Sequence, residues 1–318
     1  MTDQTPLNVP WDRKPDPSEV MGDIDLSGKR AIVTGGYSGI GLEAVRALTE
    51  RGASVVVPVR SQEKAKEALA GIPNTTTASL DLADLSSVRS FAKTVADDGQ
   101  PVDLLINNAG VMASPLSRIG SGWESQFAIN HIGHFVLTQD LLPALMKASA
   151  PRVVALSSLA HRISSIIWDD PSFDNIDYQK WVAYGQSKTA NALFARALNK
   201  QHEGLEAFSV HPGGIMTDLQ RHLTMEEQIQ AGWLDEDGNI PDGAKAFFKT
   251  PPQGTATTLW AATSPMVEGK GGVYCEDCNI AALVPDDDKG YFGVRSWAAS
   301  DENADRLWTM TEALLAEA

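Results

Sequence analysis

Cysteine is almost missing: Cys275 and Cys278 are the only two in 318 residues. So few exclude a disulfide framework and make the cytoplasm the expected compartment. Their C-x-x-C spacing has no second pair, which argues against a structural zinc and for buried thiols. No apolar run reaches the roughly 18 residues that a membrane helix requires. Residues 1–28 are rich in Pro and Asp and lack the basic, apolar and small-residue zones of a signal peptide. Positive charge is scarce too, with 26 Lys and Arg against 41 Asp and Glu, for a net charge of −15. That balance excludes nucleic acid and anionic membrane surfaces as natural partners. An anionic ligand must then be held by a local device, such as backbone amides and one or two arginines. Internal repeats and low-complexity tracts are also lacking.

What is there is a chain 43% hydrophobic, in which short apolar runs alternate with helical patterns. Residues 30–34, 54–59, 76–80, 102–106, 152–157, 205–210 and 271–275 read as strands. Residues 41–50, 62–70, 85–96, 122–146, 182–201 and 254–263 read as helices. Strands that are apolar throughout are buried on both faces, as in a parallel sheet covered by helices. The alternation predicts an α/β fold with a doubly wound parallel sheet, the Rossmann fold, in a single domain over residues 27–318. Residues 1–26 form an arm that lies on the domain or trails from it. Residues 212–254 have weak periodicity and read as a long substrate lid before the last helix-strand unit, with a short helix near 223–231 and a turn at Asp237-Gly238. In such folds ligands sit at the carboxyl ends of the strands.

The motifs fall there. Thr34-Gly35-Gly36-Tyr37-Ser38-Gly39-Ile40-Gly41 lies between the first strand and its helix, where glycines admit a pyrophosphate and the helix offers free amides. Without a ligand it would be only a tight turn. The next strand ends Pro58-Val59-Arg60-Ser61. It has no carboxylate for a ribose 2′-hydroxyl, and its arginine suits a 2′-phosphate, which favours NADP(H) over NAD(H), although a solvated loop arginine is common. Asn107-Asn108-Ala109-Gly110 follows the fourth strand and as a string is an Asn-Gly-type turn. Tyr184 and Lys188 stand at i and i+4, sharing a helix face. A phenol with a pKa near 10 is a poor base, and a neighbouring cation is expected to lower it. A lone Tyr-x-x-x-Lys is common by chance. Ser157 and Ser158 close the fifth strand and compete for one role, and Pro212-Gly213-Gly214-Ile215-Met216-Thr217 follows the sixth. His131 and His134 have no third ligand nearby in sequence, so no metal is expected.

Taken in order, these motifs resemble the short-chain dehydrogenase/reductase family from about Asp25 to the C-terminus. Asn130-His131-Ile132-Gly133-His134-Phe135, Ser157-Ser158-Leu159-Ala160-His161, Ser187-Lys188-Thr189-Ala190-Asn191 and Pro252-Gln253-Gly254 resemble its retinol-dehydrogenase-like branch, as does the stretch 274–278. The resemblance implies a catalytic set of Asn130, Ser158, Tyr184 and Lys188. Tyr184 would be the general acid/base, Ser158 the donor to the substrate oxygen, and Asn130 the holder of a proton-relay water. It implies cofactor contacts from Gly35, Tyr37, Ser38, Gly39, Ile40, Gly41, Arg60, Asp81, Leu82, Asn107, Ala109, Gly110, Lys188, Pro212, Gly213, Ile215 and Thr217. It further implies an NAD(P)-dependent oxidoreductase acting on the carbonyl or alcohol of a small apolar molecule. The alternatives are an NAD-dependent alcohol dehydrogenase of the same fold, or a cofactor-sensing regulator, which would usually lose the Tyr-Lys pair. Lid residues Leu223, Met225, Trp233, Ile240 and Phe247 are expected over the substrate. Helices 122–146 and 182–201 are expected to form a dimer or tetramer face.

Overall fold

The structure, a computed structural model, describes residues 3–317. Its centre is an eight-stranded sheet. The strands are β1 (Arg30–Val33), β2 (Ser54–Val59), β3 (Thr75–Ser79), β4 (Leu104–Asn107), β5 (Arg152–Leu156), β6 (Glu206–His211), β7 (Tyr274–Glu276) and β8 (Asn279–Ile280). Their spatial order is β8-β7-β6-β5-β4-β1-β2-β3. All neighbours are parallel except β8, which pairs antiparallel with β7. The helices α1 (Gly39–Glu50), α2 (Gln62–Ala68), α3 (Leu85–Asp97), α4 (Gly133–Leu145), α5 (Lys180–Gln201), α6 (Pro251–Thr263) and α7 (Asp301–Ala316) flank it. This is the expected doubly wound architecture.

Two cores follow from the period-2 alternation of each strand. Ile32 of β1, Leu105 of β4 and Val153 of β5 point to α3, α4, α5 and α7. Ala31 and Val33, Leu104 and Ile106, and Val154 point the other way, to α1 and α6. The strand order reverses between β1 and β4, whose register pairs Ile32 with Leu105. That reversal opens the crevice at the strands' carboxyl ends in which the motifs gather.

Three expectations need correction. Residues 122–146 are not one helix. Trp123–Glu124 pairs with Arg118–Ile119 in a small hairpin, and helix begins only at Ser125. Glu124 is buried and its carboxylate caps that start, accepting from the amides of Gln126 and Phe127. The turn Ala128–Ile132 then winds as π-helix before α4. Second, the face on which subunits were expected to pair is covered by the chain itself. α7 lays Trp308 against Phe135 and Phe194 at centroid distances of 4.8 and 6.2 Å, and every residue of α5 from Ala183 to Leu198 is buried. Third, the lid helix is shorter than expected, Met225–Gln230.

The N-terminal arm lies on the domain. The Gln4 side chain exchanges hydrogen bonds with the backbone of Tyr274 and donates to the Ala281 carbonyl. Leu7 pairs with the Asn279 amide group, Trp11 donates to the Cys278 carbonyl, and Lys14 donates to the carbonyls of Lys245 and Phe248 at the end of the lid. Among the described residues no helix is long and apolar enough to cross a membrane, and no cluster of side chains is fit to hold a metal ion.

Candidate active site

A cavity of about 780 Å³ runs along the carboxyl ends of the strands. At one end the glycine loop forms its floor. Gly35 has φ of +66°, and a Cβ there would stand 3.1 Å from the Ala109 backbone. A Cβ on Gly41 would stand 2.5 Å from both the Gly35 carbonyl and the Asn108 amide group. Only glycine lets these strands of backbone close to this distance while leaving the α1 N-terminus bare. Thr34 locks the arrangement: its hydroxyl accepts from the amides of Asn108 and Ala109, and its carbonyl accepts from the Asn108 side chain, all at 2.8–2.9 Å.

Gly35, Tyr37, Ser38, Gly39, Ile40, Gly41, Arg60, Asp81, Leu82, Ala109, Gly110, Lys188, Pro212, Gly213, Ile215 and Thr217 all line this one cavity. Asn107 does not. As the last residue of β4 it is buried, and its side chain donates at 3.0 Å to Thr138 of α4, whereas the following Asn108 lines the cavity. Strand alternation is the reason: one step along β4 turns a side chain from the helix layer to the crevice. Lys64, not foreseen, lines the cavity together with Arg60. Its signal was in the sequence, since it follows Arg60 by four residues into the start of α2.

At the other end stand Tyr184, Ser158 and Lys188. The two serines, both of which line the cavity, differ in direction. The Ser157 hydroxyl donates to the Lys188 carbonyl at 2.7 Å and is buried. Ser158 is half-buried and lines the cavity with Tyr184. Burial pushes the Tyr184 phenol up to about 12, against a smaller downward pull from Ser158. Burial brings Lys188 down to about 7. The expected lowering of Tyr184 by Lys188 is therefore not what the geometry gives. The ammonium lies 5.6 Å from the ring centroid, donates to the Leu156 carbonyl at 2.9 Å, and desolvation governs both groups.

Asn130 stands behind the wall instead of in it. Its Oδ1 accepts from the Val111 amide, and its Nδ2 donates to the Val111 carbonyl and the Ser187 hydroxyl, each at 2.9 Å. His134 Nδ1 donates to the Asn130 carbonyl at 3.0 Å. These contacts brace the loop after Gly110.

Beyond Tyr184 the walls are apolar. Trp181 meets Tyr184 and Trp233 edge-on at 6.1 and 6.0 Å, and Trp233 meets Phe248 at 6.3 Å. Met112, Leu219 and Phe247 complete this end. Of the lid residues expected there, Trp233 and Phe247 line the cavity. Leu223 packs behind it with Met112 and Tyr184. Met225 and Ile240 do not line it, and Met225 is exposed. Trp181, three residues before Tyr184, was legible by helical spacing. Gly290, in the loop after β8, was not.

The residues present fit a nicotinamide dinucleotide: a backbone cradle at a helix start, cations beside the second strand, and a Tyr-Lys pair at the far end. The chain matches the short chain dehydrogenase family over residues 29–228. It is 41% identical over 90% of its length to a protein of Streptomyces lividans named "Probable oxidoreductase", of which it covers 97%. It is 34% identical to human retinol dehydrogenase 14, with 91% of this chain and 87% of that one aligned. A crystal structure from Mycobacterium paratuberculosis superposes with a TM-score of 0.69 at 30% identity, covering 96% of this chain and 97% of that one. Site, fold and sequence agree, and the chain belongs to the short-chain dehydrogenase family of oxidoreductases, with retinol dehydrogenases among its relatives.

Proposed function

We propose that this enzyme reduces the carbonyl group of a small apolar molecule, with NADPH as hydride donor. The observation that carries the reading is one continuous cavity. It joins the glycine cradle and the Arg60–Lys64 pair at one end to Ser158, Tyr184 and an aromatic wall at the other. The cofactor supplies a hydride. In this reading the loop 35–41 holds its pyrophosphate, Asp81 and Leu82 face the adenine, and Arg60 with Lys64 hold the 2′-phosphate. Lys188 holds the nicotinamide ribose, and Ile215 and Thr217 hold the carboxamide.

The chain's own chemistry follows from its protonation. A phenol held up at about 12 keeps its proton at neutral pH, as an acid for carbonyl reduction requires. Ser158 polarises the substrate oxygen, and Tyr184 delivers the proton to it. Asn130 holds the loop 110–111 against the helix that carries Tyr184 and Lys188. Trp181, Trp233 and Phe248 exclude water and favour an apolar body on the substrate.

The test is consumption of NADPH and NADH against a panel of apolar aldehydes and ketones, with wild type and Tyr184→Phe. NADPH-dependent turnover of one chemical group, lost in Tyr184→Phe while NADPH still binds, is the expected result. Substantial residual turnover in Tyr184→Phe would refute the role of Tyr184. Tight NADPH binding with no turnover would move weight to a regulator.

A further inference from the structure

A buried network behind the two serines has no part in the mechanism above. His161 lies in the short turn Leu159–Arg162 that Ser158 caps. Its Nδ1 lies 2.7 Å from the Ser158 carbonyl, which can only accept, so Nδ1 carries the proton. Its Nε2 lies 3.2 Å from the Arg295 amide, which can only donate, so Nε2 is bare. Both contacts demand the same neutral tautomer, and burial, which brings the ring down to about 4, keeps it neutral.

The remaining groups fit the same direction. The Tyr274 hydroxyl stands 3.1 Å from His161 Nδ1. It accepts a share of that proton and lies near Ser157. Ser157 donates to the Lys188 carbonyl. The His161 carbonyl accepts from Thr189, next to Lys188, and from the Trp297 indole. Both nitrogens and the carbonyl of His161 are thus partnered, and the two rings pack at 4.7 Å. The network is rooted in β7 and in residues 294–297, and it ends on the Ser158 carbonyl and on Thr189, next to Lys188.

We infer that His161 and Tyr274 are positioning residues, which hold the Ser157-Ser158 turn and the Lys188 backbone in register from the C-terminal segment. A hydroxyl that must reach a substrate oxygen and Tyr184 together depends on the carbonyl and amide of its own turn being fixed, and a shift of about 1 Å costs on the order of 100-fold in rate. The next residue extends the tie. Arg162 donates to the carbonyls of Asp288 and Phe292, in the loop whose Gly290 lines the cavity. The C-terminal segment therefore sets the serine and closes the pocket through two adjacent side chains.

The kinetic arm rests on the carbonyl-reductase reading, so an arm independent of turnover accompanies it. In the 318-residue chain, kcat, KM for NADPH, and hydrogen exchange of the peptide holding the Arg295 amide are measured for wild type, His161→Leu, His161→Asn and Tyr274→Phe. In His161→Leu, exchange is expected to quicken at least about tenfold, consistent with loss of a buried hydrogen bond, and kcat to fall about 10- to 100-fold. KM for NADPH should stay within about twofold. His161→Asn, whose amide replaces the Nδ1 proton, should recover most of the lost kcat. Tyr274→Phe, which keeps the ring, should cost about three- to tenfold in kcat.

An unchanged kcat in His161→Leu, or Asn falling as far as Leu, overturns the proposal. Should the leucine variant fail to fold, Tyr274→Phe decides: kcat at the wild-type level overturns it. Should the wild type turn over no carbonyl compound, the functional reading fails alone. The network is then judged by exchange, and a wild-type rate at Arg295 in His161→Leu overturns it.

Discussion

Tyr184 and Lys188 share a face of α5, yet burial moves their protonation away from charge in both. For Lys188 the consequence is a stability that depends on pH. Its folded-state value is about 7 against an ordinary 10.5. Between those values the unfolded chain binds the proton that the native chain has lost, so stability rises with pH across that window. Below about pH 7 the full penalty of burying the ammonium applies. Lys188→Met removes it, so the variant should exceed wild type in urea midpoint at pH 7, and the gap should shrink toward pH 10. Parallel curves for the two proteins would contradict the burial argument. Arg60 belongs to the same scale. Arg60→Asp replaces a cation by a carboxylate suited to a ribose 2′-hydroxyl. It should shift kcat/KM from NADPH toward NADH by about tenfold or more, as expected for loss of a charge-assisted phosphate contact. An unchanged ratio would leave Lys64 or the backbone as the determinant.

At the scale of elements, the glycine loop shows why so much of the cradle was readable. The spacing T-G-x-x-x-G-x-G demands a close approach of backbones, and the Gly41 Cβ position is filled by the Gly35 carbonyl and Asn108. Gly41→Ala should destabilise the fold by about 1–3 kcal/mol, the usual range for overpacking. It should also weaken NADPH binding, read by urea unfolding and fluorescence titration. A stable variant with intact binding would show that α1 can shift without cost. The buried parallel strands were legible for a related reason, because their apolar runs carry the burial pattern directly. Short elements were not. The hairpin at Trp123-Glu124 looks helical in sequence, since the same glutamate that ends it also caps the next helix. The β7–β8 turn is closed by Asp277 and Cys278 at φ of +49° and +55°, where no glycine announces it. Its carboxylate is held instead by Arg13 and Lys249, from distant parts of the chain. Asn107 was misplaced by one residue of strand register, and the His161–Tyr274 network joins segments more than a hundred residues apart. Pairings of that range leave no local mark.

At the scale of the molecule, α7 decides what the surface can do. Its stripe of Ala304, Leu307, Trp308 and Thr311 is buried, and Thr311 reaches His131 at 2.8 Å. Arg196 and Lys200 of α5 pair with Asp301 and Asp305. The helix thus occupies, within one chain, the α4–α5 face that a second subunit would need. An apolar face of this kind left open would promote association. The 318-residue chain should therefore sediment as a monomer near its mass of 34.1 kDa. A chain ending before Asp301 should lose Trp308 from its place against Phe135 and Phe194 and self-associate or precipitate. Sedimentation velocity of the two chains at low micromolar concentration separates the alternatives. A dimeric 318-residue chain would mean that subunits pair through another surface. A monomeric, stable truncated chain would mean that burial by α7 is dispensable, and that the aromatic face beneath it is satisfied by its own packing.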